Sequence, residues 1–170
     1  MEQDINIAIK KGFTLIELIV TISIMTLLIT LSMANYKEEG VKNDVNFQAQ
    51  KFSGVLKEAQ IMALTGEKVD GSRPASYGVY ILDFNTYILF ADKDGSYSRN
   101  VGDKDIKSFD LPRGVNIDSI GEDAVFIPPS ADIYIGPALT THTFKFNFNA
   151  RCRMVYINSI SGRIDIENCP

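Results

Sequence analysis

One carboxylate, Glu17, stands inside an otherwise uncharged run from Phe13 to Ala34, and its chemistry constrains this chain more than that of any other residue. In lipid a charge costs roughly 2.5–3.5 kcal/mol at the centre of an apolar span and less near its end. An acid kept in such a place is a functional feature by default, and its partner must be a cation. Lys10 and Lys11 lie just before the run, separated from it by Gly12. Other reactive types are scarce. His142 is the one histidine, so any Ser–His or Cys–His scheme must use it. It opens an expected strand with no nucleophile-elbow pattern around it, and a structural or surface role is expected. Asp92-Lys93-Asp94-Gly95 has the opening of a calcium loop, but the further oxygen ligands and the late glutamate are absent at the required spacing. A plain Asp-Gly turn is the expectation there. No Gly-rich phosphate loop is present. The chain is read as non-enzymatic, with no catalytic residue, no metal and no cofactor.

The run that holds Glu17 is 22 residues long, about 33 Å as a helix, against a bilayer core of roughly 30 Å. It has no Gly and no Pro. Its hydroxyl residues Thr14, Thr21, Ser23, Thr26, Thr30 and Ser32 can bond back to the helix's own carbonyls. Lys10 and Lys11 set the topology, keeping the first twelve residues cytoplasmic and sending Tyr36 onward outside. A secretory signal peptide has a shorter apolar core, about 7–15 residues, with small residues at its far end. A plain signal anchor explains the length, but neither the glycine nor the glutamate.

The order Lys10-Lys11-Gly12-Phe13-Thr14-Leu15-Ile16-Glu17-Leu18 resembles the leader-peptidase site of type IV pilins and type II secretion pseudopilins, without a mismatch. The resemblance implies cleavage between Gly12 and Phe13, N-methylation of the new amine at Phe13, and pairing of Glu17 with the amine of a neighbouring subunit during filament assembly. It also implies partners: other pilin or pseudopilin subunits, a prepilin peptidase that methylates, and an inner-membrane assembly platform driven by an ATPase. The implied location is the cytoplasmic membrane, single-pass with the head outside, and then a pilus or pseudopilus.

The positioning elements follow from periodicity. Apolar residues at Val41, Val45, Ala49, Phe52, Leu56, Ala59 and Ala63, widened by Val55 and Met62, predict that the helix continues, amphipathic, to a stop at Gly66. Lys37, Lys42, Asp44, Gln48, Lys51, Lys57 and Glu58 are placed on its polar faces. From Lys68 the pattern becomes β: Tyr77–Leu82 and Thr86–Ala91 as a hairpin, then strands near Ile106–Leu111, Ala124–Ile127, Ile133–Ile135, Thr143–Phe148, Cys152–Asn158 and Gly162–Glu167. The last two are expected to join through a short Ser161-Gly162 turn. The fold class is α+β: a long amino-terminal helix against a mostly antiparallel β domain. The expected divisions are a leader over 1–12, a membrane or filament-core helix over 13–34, its amphipathic continuation over 35–66 and a β-rich head over 67–170. This layout, with the Tyr77-Gly78-Val79-Tyr80-Ile81 strand and the closing hairpin, looks like the GspH/FimT/FimU group of minor pilins. The resemblance implies a head without a catalytic role.

The chain's net charge is −4, and removal of Glu2, Asp4, Lys10 and Lys11 with a leader leaves it unchanged. Cys152 and Cys169 are the only cysteines, both in the portion expected outside, where an even pair most simply forms one disulfide. Zinc ligation would lack histidines. Arg151, Arg153 and Arg163, with Lys145, could line one face of the last strands, and a DNA-binding minor pilin is the alternative function. The acidic balance opposes it, and Gly162-Arg163-Ile164-Asp165 puts an acid where a second arginine is wanted. A signal-anchored β domain that binds another exported partner is the third reading.

Overall fold

The computed structural model describes residues 13–134 and 141–170, with the side chains of 31–44 left aside. Lys10, Lys11, Gly12, Val41 and Ile135 therefore lie outside what is described, in whole or in side chain. Among the described residues one helix, α1 (Leu15–Thr65), precedes nine strands, and the chain divides into two compact units, Met1–Gly40 and Val41–Pro170. The second unit takes in the helical stretch from Val41 onward, so the head's core reaches back past the expected boundary at residue 67.

In the second unit the strands form two antiparallel sheets. The first has the order β3 (Lys104–Asp110), β2 (Thr86–Asp92), β1 (Ser76–Asp83), β5 (Asp123–Ile127), β6 (Asp132–Tyr134). The second has the order β4 (Asn116–Ile117), β7 (Thr141–Phe148), β8 (Arg151–Asn158), β9 (Ile164–Asn168). Sequence reading missed β4, which is too short to carry an alternation. Between the sheets the helix buries Val45, Ala49, Phe52, Val55, Leu56, Ala59, Met62 and Ala63. Phe52 meets both: its ring lies 5.0 Å from Tyr87 of the first sheet, and 4.9 and 5.2 Å from Phe144 and Phe146 of the second. Edge-to-face contacts of this kind add to the area such rings bury. Gln48 departs from its expected polar face. It is 7% exposed, packed one turn before Phe52.

The helix ends as its sequence demands. Gly66 takes φ +59°, its amide bonds Ala63 O, and Glu67 N reaches back to Met62 O, the paired bonds of a Schellman cap. In β1, Gly78 faces Phe90 across the ladder, and a Cβ there would lie 2.7 Å from the Phe90 ring. A second, smaller apolar cluster of Ile88, Phe90 and Val125, with Tyr80 and Tyr97 against it, covers that outer face of the first sheet.

Candidate functional site

The amino-terminal motif begins the helix by local chemistry. Thr14 is the cap: its carbonyl accepts Leu18 N at 3.2 Å, and its hydroxyl accepts Glu17 N at 3.3 Å. That hydroxyl also donates to Glu17 Oε2 at 3.5 Å. Thr14-Leu15-Ile16-Glu17 thus has the spacing of a capping box, with the acid on the helix's third residue bonded to the Thr14 hydroxyl, where it also suits the positive end of the dipole. Thr14 caps the helix instead of bonding back along it, as expected from its place among the hydroxyl residues. The spacing Thr-x-x-Glu before an apolar run was the signal that could have shown this. Downstream the expectation holds: Thr21, Ser23, Thr26 and Thr30 donate to Leu18, Ile19, Ile22 and Thr26 carbonyls at 2.8–3.0 Å. Their hydroxyls are satisfied inside the helix, which leaves the outer surface apolar. Every described side chain from Phe13 to Thr30 is exposed. Among the described residues no helix is long and apolar enough to cross a membrane. The described side chains of this run stop at Thr30, short of Ala34.

The prokaryotic N-terminal methylation motif matches residues 8–33. The chain carries the type IV pilin and pseudopilin signal. The match covers Gly12 and Phe13, where the cut and the methyl group were expected, and Glu17. No curated protein and no solved structure matches the chain.

The remaining candidates of this pilin-like chain fall in the second unit. Cys152 and Cys169 are bonded, with Cα atoms 5.6 Å apart. The cause is register: Arg153 pairs with Asn168, so the cysteines are the next opposed pair. The connection differs from the expected two-residue turn. It runs from Ser159 to Arg163, with Gly162 at φ +66° and the Asn158 carboxamide oxygen accepting Ile160 N and Ser161 N at 3.1 and 2.9 Å.

The four bases do not share a face, which corrects the reading of one basic surface. Arg153 opposes Phe146, whose ring is in the core, so Arg151 and Arg153 lie on the inner side of β8, where Arg153 Nε bonds Asn46 Oδ1. These two arginines line a cavity of about 150 Å³ with Val45, Asn46, Cys152 and Asn168. Lys145 opposes Met154 and stands on the outer side, 4.0 Å from Asp118 Oδ2. Arg163 shares that side with Asp165, to which its Nε donates at 2.9 Å.

His142 is 8% exposed, its ring edge-on to Phe144 at 4.5 Å and its Nε2 at 2.7 Å from Glu122 Oε2. A carboxylate and a core ring are its surroundings, which fits a structural role. The carboxylates of Asp92, Asp94 and Asp103 come within 4.8 Å of one another. They are the described acids that could hold a cation, yet their hydrogen bonds account for them as a folded loop. Buried Asp92 accepts Gly95 N and Tyr97 N at 2.8 and 3.0 Å and the Ser76 hydroxyl at 2.7 Å, while Asp103 accepts Asn100 N at 2.8 Å. The Asn100 carboxamide donates to Asp94, and holds its carboxyl below the usual carboxylate range. Nearby, the Arg99 guanidinium grips Asp105 through two bonds of 2.8 Å and lowers its pKa, whereas burial raises that of Asp123.

Proposed function

We propose that this chain is a structural prepilin, cleaved between Gly12 and Phe13, methylated on the new amine and assembled through its amino-terminal helix into a type IV pilus or a secretion pseudopilus. One observation carries the reading: the methylation motif over residues 8–33. The capped, outwardly apolar helix start around Glu17 supports it. Before assembly the apolar run from Phe13 to Ala34 holds the chain in the cytoplasmic membrane, oriented by Lys10 and Lys11. Cleavage removes both lysines, and burial of the apolar helix among those of other subunits then drives assembly. The subunit belongs with the minor pilins of the GspH/FimT/FimU group, and its β-rich head binds and packs. The partners are other pilin subunits, the peptidase that methylates, and the assembly platform.

Mass spectrometry of filament-associated protein tests this directly. The expected amino terminus is Phe13, heavier by one methyl group, and any other terminus in assembled material refutes the reading. Gly12→Leu should leave the chain twelve residues longer and confined to the membrane.

A further inference from the structure

β9 is the last strand of the second sheet, and register fixes where its backbone groups point. Asn158 N donates to Arg163 O at 3.0 Å, and these residues stand opposite each other just beyond the Ile157–Ile164 pair. Opposed residues alternate between bonded and non-bonded pairs along an antiparallel ladder. Asp165 and Glu167 are therefore bonded to β8, whereas the N–H and C=O groups of Ile164, Ile166 and Asn168 point away from it. Among the described residues no strand lies beyond them. The other sheet edges are blunted. β4 and β6 have two and three residues, and β3 presents Lys104 and Lys107 and pairs with β2 through a register shift. β9 is instead pinned, because the Cys152–Cys169 bond closes the ladder immediately past Asn168. A strand already held in its paired form loses little freedom when another joins it.

The two faces of β9 define what it takes. Ile164 and Ile166 oppose buried Ile157 and Val155 on the inner face, yet Ile166 is 37% exposed. Asp165 and Glu167 lie on the outer face. Arg163 bonds Asp165, and among the described residues no base pairs with Glu167. We propose that β9 receives an extended strand of a different exported protein, in which apolar residues alternate with bases. The apolar side chains cover Ile166, and a base stands opposite Glu167. Main-chain bonds give such an added strand its affinity and the alternate side chains its selectivity. A second copy of β9 is excluded by charge: the full antiparallel overlap, centred on Ile166, sets Asp165 against Glu167, and like charges directly opposite destabilise a pair. The proposal deepens the reading of a head that binds, and its test needs no filament, so its failure leaves the prepilin reading standing.

The full chain in detergent micelles is titrated with a short peptide alternating valine and lysine, and amide exchange is followed residue by residue. The amides of Ile164, Ile166 and Asn168 should exchange about fivefold more slowly at saturation, while those of Asp165 and Glu167, already bonded to β8, change little. The same peptide N-methylated at its valines should give no protection, and neither should one alternating valine and glutamate. Ile166→Pro removes an outward N–H and no ladder bond, so it should fold as the parent does and lose the protection at Ile164 and Asn168. Should that variant unfold, the N-methylated peptide still decides. Protection that survives N-methylation, equal protection from the glutamate peptide, slowing at β3 instead of β9, or no slowing at the peptide's solubility limit would each overturn the docking edge. So would slowing that follows chain concentration alone, which makes a second copy the occupant.

Discussion

Glu17 has one partner in the single chain and, on the proposed assembly, a second in the filament. In the single chain its amide and carboxylate meet the Thr14 hydroxyl, and in a filament the carboxylate would turn to a neighbour's amine. Thr14→Val should therefore weaken the first helical turn by about 1 kcal/mol, seen as faster amide exchange at Glu17, while Thr14→Ser keeps the cap. Glu17→Ala should enter the membrane at least as well as the parent and join filaments poorly; parent-like assembly would dismiss the amine pairing. Two aspartates of the head have opposite pH signatures. Asp123, whose carboxyl is raised by burial, loses stability as pH climbs from its unfolded value of about 3.9 through its higher folded one. Asp105, lowered by the Arg99 hydrogen bonds, gives stability present above the unfolded value and lost as pH falls through the folded one. Asp123→Asn should remove the first slope and Arg99→Gln the second, in urea midpoints measured from pH 3 to 7.

At the scale of elements, Gly78 shows how a single residue sets a strand's neighbours. Gly78→Ala should destabilise the head by roughly 1–3 kcal/mol, because a methyl group would collide with the Phe90 ring and approach Ala124 O at 3.0 Å. Reduction of Cys152–Cys169 should release the edge strand β9 and lower stability by about 3 kcal/mol, read from the urea midpoint with and without reductant. Most elements were legible because their periods were clean: the 3–4 spacing from Val45 to Ala63, and the alternation of Phe144, Phe146 and Phe148. What escaped lacked a period. The two residues of β4 are held by pairing to Asn147 and Phe146, which no local pattern announces. Buried Gln48 reads as polar from its type alone. The four bases misled because Arg151 and Arg153 alternate away from Lys145 only in the folded register.

Across the whole molecule the methylation signal was the most legible feature, since it is contiguous, whereas the core it serves is assembled from distant segments. Phe52→Ala should cost about 3–5 kcal/mol, the ordinary range for a buried phenylalanine, and a chain truncated to residues 67–170 should bind hydrophobic dye and lack near-ultraviolet circular dichroism. The cause is that one ring touches both sheets. This has a consequence in time. Phe52 is synthesised before every strand, and Phe144 and Phe146 follow it by about ninety residues. At roughly 5–20 residues per second, the interval is about 5–20 s. Through it the helix's inner stripe has emerged without its cover, so the unfinished chain is more open to proteases and to wrong partners than the finished one ever is.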